Sequence, residues 1–184
     1  MVTTATLTGT TTWQIDPAHS LVELAVKHMM FTTVKGRFSR FGGTIVTTYD
    51  DPTTAAINVA IETASINTGD EKRDEHLQSA DFFDAERHPT ITFVSTKVEP
   101  TSGDRYRVIG DLTMHGQTKQ VELDTTFNGS GTNPYGMEVA GYTAESEINR
   151  TDFGLTWNAA LETGGVLVSE KVKITLDIQA AKQA

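Results

Sequence analysis

From Trp13 onward, hydrophobic and polar residues alternate with a period of two over most of the chain. That repeat belongs to a strand with one dry and one wet face. Val22, Leu24, Val26 and His28 share one face, with Glu23 and Lys27 on the other. Ile57, Val59 and Ile61 alternate with Asn58, Ala60 and Glu62, and Tyr106, Val108 and Leu112 with Arg105, Arg107 and Asp111. Val121, Leu123, Thr125 and Phe127 oppose Gln120, Glu122, Asp124 and Thr126, while Val172, Ile174, Leu176 and Ile178 oppose Lys173, Thr175, Asp177 and Gln179. The pattern predicts about eight strands, near residues 19–29, 36–49, 54–63, 90–99, 104–113, 118–128, 137–149 and 171–181.

Strands with one dry face belong to antiparallel sheets. Turn signals separate them at Asp50-Asp51-Pro52, Ser102-Gly103-Asp104, His115-Gly116 and residues 129–136. Regular spacing of many strands makes the fold class all-β, a barrel or a sandwich. Closure removes exposed edges, and a barrel of about eight strands is wide enough to hold one small molecule. Residues 69–83 break the alternation with a run of helix formers, which predicts one short helix at about 70–80 with Leu77 facing inward. Residues 150–161 read as a packed loop or short helix. Residues 1–12, mostly Thr, read as a flexible leader, and residues 13–182 as a single domain.

Composition narrows the choice of partner. The 184 residues suit one domain, and no cysteine is available for disulfides, thiolate ligands or a nucleophile. A formal charge of −9 repels phosphate backbones and anionic headgroups, so nucleic acid is not an expected partner. No apolar run is long enough to span a membrane, and the N-terminus lacks the regions of a secretory signal. The expected compartment is therefore cytoplasmic, or periplasmic if a signal peptide has been trimmed.

Few residues suggest catalysis. Asp152-Phe153-Gly154 spells the metal-binding tripeptide of kinases without its companion motifs. Residues 129–136 are Gly-rich without dinucleotide-binding spacing and form a long hairpin turn. The five histidines, His19, His28, His76, His88 and His115, show no metal-ligand spacing, so no metal site is expected. Asp16, His19 and Ser20 bring the pieces of a triad close together. The plainer reading is a turn leading into the first strand, with His19 hydrogen-bonded to the barrel wall. No catalytic residue and no required cofactor are expected.

Five clusters then narrow the reading. They are Trp13-Gln14-Ile15-Asp16-Pro17-Ala18-His19-Ser20 with the strand ending at His28; Gly36-Arg37-Phe38-Ser39-Arg40-Phe41-Gly42-Gly43; and the long set Ser65-Ile66-Asn67-Thr68-Gly69, Arg73-Asp74-Glu75-His76-Leu77, Asp81-Phe82-Phe83-Asp84 and His88-Pro89-Thr90-Ile91-Thr92-Phe93. Gly110-Asp111-Leu112-Thr113-Met114-His115-Gly116-Gln117-Thr118-Lys119 and Asn149-Arg150-Thr151-Asp152-Phe153-Gly154-Leu155 complete them. In this order, over residues 13–178, they resemble the YceI-like family of polyisoprenoid-binding proteins. The resemblance implies an extended, lipocalin-like, eight-stranded antiparallel β-barrel. It also implies a bound polyisoprenoid, isoprenoid quinone or fatty amide, a carrier or sequestering role, and for several relatives a homodimer.

Such a ligand needs a narrow apolar tunnel. Inward strand residues Val22, Leu24, Val26, Ile57, Val59, Ile61, Phe93, Val108 and Leu112 are the expected lining. Phe38, Phe41, Phe82, Phe83, Phe153 and Trp157 are the expected mouth or plug. A polar head needs donors, for which His19, Arg37, Arg40 and Arg73 are candidates. Against that, Arg73 with Asp74 and Arg150 with Asp152 read equally as ion pairs latching helix and late loop to the barrel. The alternatives are a stress-linked interaction or scaffold protein with a filled barrel, and an enzyme acting on an isoprenoid or quinone through Asp16 and His19.

Overall fold

The computed structural model describes residues 9–184. Most of the expected leader, residues 1–8, lies outside the described residues. Its last part does not behave as a leader, because Thr10 opens the first strand.

The strands in chain order are β1 (Thr10–Ile15), β2 (Leu21–His28), β3 (Thr32–Phe38), β4 (Phe41–Thr48), β5 (Asp51–Glu62), β6 (Ile66–Asn67), β7 (Thr90–Ser102), β8 (Arg105–Met114), β9 (Gln117–Thr132), β10 (Glu138–Asn149) and β11 (Lys171–Lys182), with helix α1 (Glu71–Gln78) between β6 and β7. All pairings are antiparallel, and the order β1-β4-β5-β7-β8-β9-β10-β11 closes on itself through a β1–β11 ladder. The result is a closed eight-stranded antiparallel barrel. β1 and β2 are two halves of one strand along β11, as Ile15 faces Ala180 and Leu21 faces Asp177. β3 and β4 are likewise two halves of the next, pairing with β2 and β1.

The two breaks have chemical causes. Between β1 and β2, Pro17–His19 form a short 3-10 turn with Pro at its start and Asp16 as cap, its side chain accepting the Ala18 N–H at 3.0 Å. Between β3 and β4, the Ser39 N–H leaves the ladder for the Ser65 carbonyl at 3.1 Å.

Every strand reverses direction relative to its neighbour, so the connections fall at two ends. One end carries the two-residue turns at 49–50 and 103–104, the longer turn at 133–137, the start of β1 and the end of β11. Tyr49 and Asp50 there have φ of 52° and 56°, the left-handed pair of a type I′ turn. The other end carries α1, the hairpin tip at His115-Gly116 and the long segment 150–170. The turn joining β2 to β3 also lies at this end, at Met29-Met30, with φ of 50° and 64°. The sequence pattern leaves residues 30–35 between two strands without a turn signal, because methionines carry none; the turn is tighter than that, and β3 already begins at Thr32.

α1 starts on the Asp70 side chain, which accepts the Arg73 N–H at 3.0 Å. Residues 150–153 form a short 3-10 helix and the chain then runs irregularly to β11. Among the described residues, no helix is long and apolar enough to cross a membrane.

Candidate ligand-binding cavity

The barrel is hollow. Its interior contains a cavity of about 690 Å³, within the range of roughly 300–1,000 Å³ usual for small-molecule sites. Its walls explain why it stays open. Leu24, Ile57, Val59, Ile61, Leu123 and Leu176 point inward by alternation, yet each is only partly buried. In a filled barrel such positions would be sealed by the facing strands.

The expected lining residues Val22, Leu24, Val26, Ile57, Val59 and Ile61 lie on this wall. So do Phe93, Val108 and Leu112. Phe38, Phe41, Phe82, Phe83 and Trp157 wall its helix end, where Phe38 and Phe83 meet edge-on at 5.9 Å and the rings of Phe82 and Trp157 lie tilted to each other at 5.2 Å. Leu77 reaches the cavity from α1. Phe153 is the exception: it is 1% exposed and packs into the core without facing the open volume.

The four head-group candidates separate. Arg73 lines the cavity, with Nε donating to Thr68 Oγ1 at 2.7 Å and Nη2 to the Thr68 carbonyl at 3.0 Å. Arg37 lies on the outer face of β3, because its neighbours Gly36 and Phe38 take the inner one. Arg40 sits in the turn before β4 and grips exposed Glu62 by two bonds of 2.5 and 2.7 Å. That bond holds the Glu62 carboxyl below its usual pKa. His19 is not bonded to the barrel wall. Its Nδ1 meets Asp16 Oδ2 at 2.7 Å on the exterior, and that bond pulls the Asp16 pKa down. Ser20 turns instead to the backbone of Gln179, its Oγ accepting the N–H at 3.0 Å and donating to the carbonyl at 3.3 Å. Asp16, His19 and Ser20 therefore form no relay and lie outside the cavity.

The expected latches work through other partners. Asp74 accepts from the Thr68 N–H at 2.8 Å and from its hydroxyl at 2.6 Å, while Arg73 holds the same threonine. Arg150, buried, donates to the carbonyls of Ser169, Leu155, Trp157 and Val168 and not to Asp152. It fastens the late segment to itself by backbone, at the floor of the helix end.

Polar wall residues that the sequence reading did not single out sit near both ends. His76 lines the cavity between the rings of Phe82 and Trp157, at 5.0 and 4.8 Å, with Nε2 bonded to Asp81 at 2.8 Å. Tyr106 and Tyr142 line the other end, and the Tyr142 ring packs at a tilt against Phe127, 5.5 Å between centroids. Burial, and secondarily the nearby Tyr106, push the Tyr142 phenol above its usual pKa. Their alternation with the apolar set was the available signal, because Tyr106 falls in phase with Val108 and Leu112.

A closed antiparallel barrel with a hollow apolar interior is the class this fold and cavity define. The chain belongs to the YceI-like domain family, whose model matches residues 13–180. A UPF0312 protein of Staphylococcus aureus (strain MSSA476) is 40% identical over 164 residues, 89% of this chain and 93% of that protein. The crystal structure of BcnA from Burkholderia cenocepacia matches with a TM-score of 0.78 at 25% identity, over 90% of this chain and 98% of its own. A polyisoprenoid binding domain from Saccharophagus degradans, implicated in plant cell wall breakdown, shares the fold with a TM-score of 0.65 at 15% identity, over 93% of this chain and 98% of its own.

Proposed function

We propose that this protein holds a long apolar amphiphile in its barrel and carries or sequesters it without chemical change. The ligand class is a polyisoprenoid, an isoprenoid quinone or a fatty amide. The observation that carries this reading is the cavity of about 690 Å³ with an almost wholly aliphatic and aromatic wall. Each buried CH₂ gains about 0.8 kcal/mol, so a chain of many such units offsets its lost flexibility. The Saccharophagus degradans domain, named for polyisoprenoid binding, has the same barrel and supports the choice of ligand class. A polar head would meet Arg73 and His76 at the helix end or the phenols of Tyr106 and Tyr142 at the other.

The test is native mass spectrometry of the purified protein followed by solvent extraction. A co-purified isoprenoid, quinone or fatty amide near one per chain is the expected result. A protein that stays empty, and gains no thermal stability when offered such lipids, would argue for a different occupant.

A further inference from the structure

Asp84, His88 and His115 meet at the helix end of the barrel, outside the wall of the apolar cavity. One ligand atom from each lies within 4.8 Å of the other two. They come from two segments, the turn after α1 and the tip of the β8–β9 hairpin.

The backbone is shaped to bring them together. Asp84, with its side chain 8% exposed, has a φ of 49°, in the left-handed region that a residue with a Cβ avoids. The His88 N–H donates to the Asp84 carbonyl at 2.8 Å, so both side chains leave one tight turn. His115 occupies the hairpin tip at φ 53°. Its Nδ1 lies 3.0 Å from the Phe153 carbonyl. A carbonyl only accepts, so Nδ1 carries the proton and Nε2 presents its lone pair. A backbone carbonyl on the far nitrogen is the usual support of a metal-ligating histidine. The two imidazoles lie 5.0 Å apart between centroids. Glycines make room for both: a Cβ at Gly116 would come within 3.0 Å of His88 Cε1, and one at Gly154 within 3.1 Å of His115 Nδ1.

We propose that Asp84, His88 and His115 bind one divalent transition-metal cation of the zinc type, with water completing the tetrahedron. Two imidazoles and a carboxylate suit a borderline cation, whereas calcium and magnesium take six or more oxygens. Arg87 Nε donates to Asp84 Oδ2 at 2.6 Å, which leaves Oδ1 for the cation, and the guanidinium otherwise extends into solvent. Donor atoms around tetrahedral zinc lie roughly 3.3 Å apart, so the ion draws the three side chains together by up to about 1.5 Å. Bound there, it ties the turn after α1 to the β8–β9 hairpin and, through Phe153, to the late segment. It is a staple across the helix end and is independent of the lipid.

The experiment is calorimetric titration of zinc ion into the whole, chelator-treated chain, alongside His88→Gln and His115→Gln. About one ion per chain should bind, at least tenfold more weakly in each variant. At a hundredfold excess over Kd, wild-type Tm should rise by roughly 5–10 °C. Because an unfolded variant would mimic lost binding, the five histidine ring resonances of the wild type are followed in parallel. Movement of the His88 and His115 signals, with His19, His28 and His76 unmoved, supports the site by itself. A wild-type chain that binds no zinc, variants that bind equally well, or shifts confined to the other histidines would overturn it.

Discussion

Arg150 sets a guanidinium among four backbone carbonyls, with bonds of 2.9 Å to Ser169, 2.7 Å to Leu155, 2.9 Å to Trp157 and 3.3 Å to Val168. Burial pulls its pKa down and the charge of Glu170 opposes that, but a guanidinium stays protonated. Truncation removes a charged donor and strands buried acceptors, so Arg150→Ala should cost about 3–5 kcal/mol in urea unfolding. Arg150→Lys should recover little of it, since an ammonium has no planar fork. A loss below about 1 kcal/mol would mean that water replaces the guanidinium at little cost. Tyr142 supplies a pH signature at the opposite end. Its folded pKa is raised by burial, so its contribution to stability is full below the phenol's unfolded value of about 10 and is lost as pH climbs through the raised value. Absorbance at the phenolate band should show Tyr142 ionising at higher pH in the folded protein than in the unfolded chain. Tyr142→Phe should flatten the alkaline fall in stability.

Strand pairing sets the next level of constraint. On β8, a Cβ at Gly110 would stand 2.5 Å from Phe93 Cζ and 2.6 Å from the Val94 carbonyl, whereas at Gly42 nothing lies within 4 Å. Gly110→Ala should therefore cost about 1–3 kcal/mol and drive the Phe93 ring toward the cavity, while Gly42→Ala should leave thermal unfolding near wild type. Equal Tm values for the two variants would contradict this packing. The strands themselves were legible because alternation repeats in each and period two has no helical counterpart. α1 was legible because its run of charged helix formers interrupts that period. The hairpin tip at Met29-Met30 was not, since both residues hold positive φ without Gly, Asn or Asp to announce it. The kink at Asp16–Ser20 was foreseen as a turn but placed ahead of the first strand, when it divides that strand in two.

The barrel's interior was legible only as a set of facing residues. Alternation names the wall but not the gap between opposite walls, because that depends on closure at eight strands and on how far side chains reach. Charge was less informative than apolar pattern: Arg37 stands beside cavity residues in sequence yet faces solvent because consecutive strand positions point to opposite faces, and Arg40, in the turn before β4, is held by exposed Glu62. Asp84, His88 and His115 were invisible as a cluster, since topology and not spacing joins them. The hollow interior makes a direct demand on the ligand. Leu24 sits mid-strand on the wall and is only partly buried, so Leu24→Trp should obstruct the cavity partway along its length while leaving the ladder bonds intact. The decisive measurement is binding of a long isoprenoid alcohol to wild type and Leu24→Trp by native mass spectrometry, with circular dichroism verifying the fold. Wild type should bind about one molecule per chain, and the folded variant should bind at least tenfold more weakly, as expected for a solute excluded from its pocket. Equal binding by both would place the lipid outside the barrel, and no binding by either would contradict the proposed function.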